Sequence, residues 1–298
     1  LFLRGLFPLH TNRSKISSRK IWMLQNNQVQ SVKNIHRLKG DSSEEQLTSE
    51  AMQMISQETL NKLKLMKLTG MAESLHQQET DPSYQEMNFQ ERMGLLVDWE
   101  FSRRQHTRLQ RLIHSAQFQD STACVESICY EDDRKLDRQL ILELASCNYI
   151  PHARNIIIIG PTGAGKSYLA QALGQSACRR LLPTRYIQLS DLLDELKMAR
   201  EKSMETFYRV RKAFTKVRVL IIDEWLLFPI TEEDAQMLLW IIDRRHSHQS
   251  TIIASQYEPA EWLDQIPIPV AAEAITDRLA AQAYKIIIRG NTSKRSVG

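Results

Sequence analysis

An α/β domain of three layers, with a parallel sheet between helices and a small all-helical unit before it, is the fold class this sequence predicts. Three observations predict it. From about Gln53 to residue 150, apolar residues recur at helical spacing. From Ile156 the pattern becomes short aliphatic runs (NIIIIG, YIQL, RVLIIDE, STIIAS, YKIIIR) separated by helical stretches. The first of those runs passes through a glycine-rich turn directly into a helix, GPTGAGKSYLA. Continuous aliphatic runs suit strands buried on both faces of a parallel sheet. Strands alternating with helices build a three-layer domain.

The helical unit is legible residue by residue. In LNKLKLMKLTGMAESL, Leu60, Leu63, Met66, Met71 and Leu75 step at helical spacing. In NFQERMGLLVDWEFSRRQHTRLQRLIHSA, Asn88 is a good N-cap and Glu91 completes a capping-box-like pair. Further along, Arg104, Arg108 and Arg111 share one face. That face reads either as solvated surface or as a stripe for DNA phosphates. RKLDRQLILELAS supplies a third helix. The domains expected are a basic disordered leader at 1–50, a helical domain at 51–150 and the α/β domain at 151–298. Residues 1–40 carry eight Lys/Arg and no acid, a polar aperiodic composition typical of disorder.

Bulk properties narrow the class. The chain has 298 residues, 42% hydrophobic and 25% charged, which suits one or two domains with ordinary cores. No apolar run approaches the roughly 18 residues that span a bilayer, so no membrane association and a cytoplasmic location are expected. Four cysteines show neither CxxC pairing nor zinc-finger spacing, and read as reduced structural residues. A net charge of +4 permits nucleic-acid binding without requiring it.

The chemistry lies in the turn. Gly160-Pro161-Thr162-Gly163-Ala164-Gly165-Lys166-Ser167, followed by Tyr168, satisfies G-x-x-x-x-G-K-[ST] between a strand and a helix. Glycines let the backbone wrap phosphates closely, with amide N–H groups directed inward at a helix N-terminus. Lys166 is placed to reach the β- and γ-phosphates and Ser167 to offer its hydroxyl to Mg²⁺. In VLIIDE, 57 residues beyond Lys166, Asp223 ends a buried strand and is placed to hold the Mg²⁺ shell. Glu224 beside it is placed to polarise a water for attack on the γ-phosphate, which favours hydrolysis over transfer to a small acceptor. No guanine-reading NKxD follows the loop, so ATP is the nucleotide expected.

Three further features bear on how the nucleotide is used. STIIASQ ends a strand in Ser255-Gln256, and a polar side chain at this position can contact the γ-phosphate; either residue fits. In AITDRLAAQAYKIIIR, Arg278 is either a surface charge or, in an oligomer, an arginine finger for a neighbour's site. From Lys197 to Arg218 there are eight Lys/Arg against two Glu. Lys197, Arg200, Lys202, Arg209, Arg211 and Lys212 in that run are candidates for DNA-backbone contact, with a solvated helical face as the alternative.

Together GPTGAGKSYLAQALGQSACRR, VLIIDEW, TEEDAQMLLWIIDRR, STIIASQ and the terminal DRL resemble the IstB-like transposition helpers of bacterial insertion sequences, in the DnaC/DnaA-type branch of AAA+ ATPases. LMKLTGMAESL and FQERMGLLVDWE extend the likeness to the N-terminal helices, over roughly residues 54–295. The resemblance implies an ATP-hydrolysing protein that forms a homo-oligomer on duplex DNA and assists the transposase of the same element. It puts Lys166 and Ser167 on nucleotide and Mg²⁺, Asp223 in the metal shell and Glu224 as catalytic base. Ser255 falls at the sensor position and Arg278 at the finger. A DnaC-like helicase loader, or an ATP-binding assembly switch with little hydrolysis, are the alternatives. The few residues after Gly290 imply that no helical lid is present.

Overall fold

The computed structural model describes residues 56–130 and 135–289. The leader expected at 1–50, and the end of the chain on which the lid expectation turns, lie outside the described residues. The chain divides between Arg103 and Arg104 into two compact units. The boundary expected at residue 150 lies within the second of these units.

In the first unit, residues 56–65 are helical, followed by α1 (Thr69–Thr80) and the start of α2 (Phe89–Ala116). The capping box before α2 is formed: Glu91 N donates to Asn88 Oδ1 and Asn88 N donates to Glu91 Oε2, both at 3.0 Å. No side chain at Leu68 caps α1. A buried carboxylate from α2 serves instead, with Glu100 Oε2 accepting from Gly70 N at 2.8 Å and Met71 N at 3.2 Å. A negative charge at a helix N-terminus satisfies orphan N–H groups and complements the dipole.

The second unit contains α3 (Arg138–Ala145) and then alternates strand and helix. Its elements are β1 (Ile156–Ile159), α4 (Lys166–Arg179), β2 (Thr184–Gln188), α5 (Leu189–Lys202) and α6 (Met204–Lys216). β3 (Val219–Trp225), α7 (Glu232–Arg245), β4 (Ser250–Ser255), α8 (Pro269–Ala280) and β5 (Tyr284–Ile287) complete it. All strand pairs are parallel, in the order β2-β3-β4-β1-β5. The fold is thus the expected three-layer α/β arrangement around a parallel sheet. From β1 the chain crosses to β2 on one side, and from β4 it crosses to β5 on the other. The crevice between β1 and β4, at their C-terminal ends, is where such sheets bind ligands.

Alternation along each strand builds two cores. Ile157, Ile159, Leu220, Ile222 and Ile253 face α5, α6, α7 and α8. Ile156, Ile158, Val219, Ile221, Ile252 and Ala254 face α4. The second face is completed by Ala123, Val125, Ile141, Leu144, Tyr149 and Ile150. These residues belong to the stretch expected in the N-terminal domain. One helix cannot cover five strands, so the segment after α2 is drawn onto the sheet. Polar contacts fasten it there: Asp120 N donates to Gln171 Oε1 at 2.8 Å and Gln175 Nε2 donates to Ser121 O at 2.7 Å.

Candidate nucleotide site

The loop after β1 is shaped by three glycines for different reasons. Gly163 and Gly165 hold φ of 80° and 96°, the left-handed region that a Cβ makes costly. Gly160 is required by proximity, since a Cβ there would lie 2.8 Å from the carbonyl oxygen of Ile288. Gly165 caps α4 without a side chain, leaving the helix entry to backbone N–H groups. Lys166 turns back over the loop, and its Nζ donates to Gly160 O at 2.8 Å and Pro161 O at 2.9 Å. Burial draws the Lys166 ammonium below its ordinary pKa, opposed by the charges of Asp223 and Glu224. An anion at the loop would meet that cation more favourably than two neutral carbonyls do.

At the end of β3 the backbone is irregular. The pairing with β4 shifts between Ile222 and Trp225, and Glu224 and Leu226 have φ of 52° and 51°. In a regular strand Asp223 and Glu224 point to opposite faces. The bulge overrides this, and both line one cavity with Gly163, Lys166, Ser167 and Gln256. Asp223 is buried, and two donors fix its carboxylate: Glu224 N to Oδ1 at 2.8 Å and Tyr186 OH to Oδ2 at 2.7 Å. Burial, reinforced by Asp223, pushes the Tyr186 phenol far above its ordinary pKa and keeps it a donor.

Among the described residues no three His, Cys, Asp or Glu side chains converge as a metal cage. One carboxylate and one hydroxyl beside a phosphate-shaped loop are instead the hard-oxygen set that Mg²⁺ takes when a nucleotide supplies its other ligands. Across the loop, Ile128, Leu136, Ala164, Tyr168, Leu169 and Ile288 line a second, more apolar cavity. Tyr168 closes it, its hydroxyl accepting from Cys124 N at 3.3 Å.

The family model described as IstB-like ATP binding protein matches residues 61–297. The chain belongs to this family. It is 39% identical over 203 residues to a Pseudomonas fluorescens protein named as the ATP-binding protein of insertion sequence IS1162, covering 68% of this chain and 87% of that one. A Sinorhizobium fredii protein named as an insertion sequence ATP-binding protein, y4pL, is 34% identical over 82% of this chain and 98% of its own. Among solved structures, the replication initiator DnaA bound to AMPPCP and single-stranded DNA matches with a TM-score of 0.50 at 20% identity. That match covers 60% of this chain and 53% of DnaA, and is a likeness of fold.

In this IstB-like chain, Ser255 and Gln256 part company. Ser255 is buried, and its hydroxyl donates to Trp225 O at 3.2 Å while accepting from Tyr257 N at 3.1 Å and Trp262 Nε1 at 3.3 Å. The exposed Gln256 lines the cavity in its place. Arg278 lies far from its own loop, because its carbonyl accepts from Asn155 Nδ2 at 3.0 Å and Asn155 precedes β1 at the opposite end of the sheet. Its guanidinium is held by Asp243 Oδ1 at 3.0 Å and Ala274 O at 3.0 Å.

The basic run also divides. Lys197 pairs with buried Asp234 at 2.8 Å and Arg200 with Glu233. Arg211 lies over the rings of Trp240 at 3.5 Å, Phe207 at 4.9 Å and Tyr208 at 5.2 Å. These three fasten the α5–α6 hairpin to itself and to α7. Lys202, Arg209 and Lys212 are exposed, as are Arg104, Arg108 and Arg111 on α2. Tyr186 escaped the sequence reading, since nothing in YIQL shows that its ring lies beside Asp223. Only the β2–β3 register, with Gln188 opposite Asp223, brings that strand to the site.

Proposed function

We propose that this protein binds and hydrolyses ATP with Mg²⁺, and so controls an assembly of its own copies on duplex DNA that assists the transposase of the same insertion sequence. One observation carries the reading: Lys166, Ser167, Asp223 and Glu224 line a single cavity at the C-terminal edge of the sheet. The names of the relatives support the insertion-sequence context.

The residues divide the work. Backbone N–H groups at the start of α4 take the β-phosphate, and Lys166 leaves its carbonyl partners for the β- and γ-phosphates. Ser167 and Asp223 hold Mg²⁺, which when bound offsets phosphate charge. Glu224 orients the attacking water and accepts its proton, while Gln256 contacts the γ-phosphate. The apolar cavity beside Tyr168 receives the adenine. Arg278, remote from its own loop, reaches a neighbour's nucleotide after giving up Asp243. The exposed Lys202, Arg209 and Lys212 meet DNA phosphates, as do Arg104, Arg108 and Arg111.

The test is sedimentation with ATP on long duplex DNA, on single strands and without DNA. Large ATP-dependent complexes on duplex, absent in Lys166→Ala, support the reading. Assembly on single strands alone points to a helicase loader. Sedimentation unchanged by ATP on every DNA sinks both.

A further inference from the structure

Tyr186 is a buried phenol in the middle of β2, on the sheet face that packs α4 and the segment after α2. Packing there needs only a ring. The hydroxyl instead makes two contacts: Asp223 Oδ2 at 2.7 Å and Gln119 Oε1 at 3.1 Å. Gln119 stands three residues beyond the end of α2, next to Asp120 whose backbone is bound by Gln171 of α4. The other oxygen of Asp223 is engaged by Glu224 N at 2.8 Å. Two donors on its two oxygens therefore set the plane of this carboxylate. Removing either leaves it free to turn about its terminal torsion, which is broad and weakly restrained.

We propose that Tyr186 is a positioning residue that holds Asp223 in the orientation its metal-shell role requires, and that through Gln119 it ties this orientation to the loop after α2. The inference rests on the ATP–Mg²⁺ reading above. A phenol has one proton and serves one acceptor at a time. The shorter bond, to a carboxylate, is the stronger. When Asp223 directs its lone pairs to a hydrated cation, its claim on that proton weakens and Gln119 gains it. Residues 117–124 thereby sense occupancy of the metal position without touching nucleotide. Partners that orient a metal-binding side chain commonly matter about tenfold or more for metal affinity.

The experiment measures binding of ATP carrying a ribose fluorophore to the full chain, with and without Mg²⁺, in wild type and Tyr186→Phe. Phe keeps the ring, so affinity without Mg²⁺ reports whether the variant is folded and stays at the wild-type value. The Mg²⁺ concentration giving half of the metal-dependent change rises about tenfold in Tyr186→Phe. An unchanged Mg²⁺ midpoint overturns the proposal. If the variant loses nucleotide affinity altogether, hydrogen exchange on wild type decides. Amides of residues 117–124 change protection when Mg²⁺ is added to the nucleotide complex, and equal exchange in both conditions overturns the inference. A wild type whose nucleotide affinity ignores Mg²⁺ overturns the ATP–Mg²⁺ reading, and this inference with it.

Discussion

Replacing Ser255 by alanine tests how the end of β4 works. Its hydroxyl holds three partners: Trp225 O, Tyr257 N and Trp262 Nε1. Trp262 Nε1 keeps a second acceptor, Tyr257 O at 3.2 Å, so the loss falls on Trp225 O and Tyr257 N. A buried polar group left without a partner costs about 1–3 kcal/mol. With Tyr257 only partly buried, the sum for Ser255→Ala is about 2–3 kcal/mol of stability. Trp225 directly follows Glu224, whose left-handed backbone persists only if its surroundings hold it. The variant therefore loses about tenfold in kcat through a displaced Glu224, with ATP affinity little changed. Gln256→Ala, at an exposed position, alters stability by less than about 0.5 kcal/mol yet also slows hydrolysis. Denaturant titration and steady-state ATPase rates on both variants make the comparison. A Ser255→Ala protein of wild-type stability that no longer distinguishes ATP from ADP would refute this and make Ser255 the phosphate sensor.

Four further outcomes follow from the geometry. Gly160→Ala puts a Cβ 2.8 Å from a backbone oxygen that cannot swing away, so it destabilises by about 1–3 kcal/mol and weakens nucleotide binding together, read by thermal melts with and without ATP. Arg211→Ala costs about 0.5–2 kcal/mol of stability by removing the guanidinium from Trp240. Lys212→Ala leaves stability near wild type and lowers the salt slope of DNA binding by about 1. Glu100→Gln removes the charge at the start of α1 and costs about 0.3–2 kcal/mol, visible as faster hydrogen exchange at Gly70 and Met71.

Local chemistry was open to sequence reading wherever neighbours in the chain supply both partners. The Asn88–Glu91 capping box forms as the spacing requires, three residues being one helical turn. Lys166 and Ser167 open α4 because a glycine-rich turn between strand and helix admits little else. Asp223 and Glu224 stand out in sequence because the pair follows a run of buried aliphatic residues. The packing of residues 123–150 on the sheet is not legible in sequence, for the opposite reason. Ile141 and Leu144 have helical spacing whether they pack on other helices or on a sheet, and periodicity does not name the partner. The basic run shows the same limit, since charge is visible in sequence but the contacts of Lys197, Arg200 and Arg211 with Asp234, Glu233 and Trp240 are not.

The strand–loop–helix cradle, the paired acids and the α/β alternation are therefore legible in the chain, all set by residues within a few positions of one another. Tertiary structure alone decided that Gln256 rather than Ser255 faces the cavity, that a bulge turns both acids into it, and that Tyr186 grips Asp223. Each depends on the register between strands distant in the chain. A shift of one residue in that register exchanges the faces of a strand, and it is settled by the packing of the whole sheet.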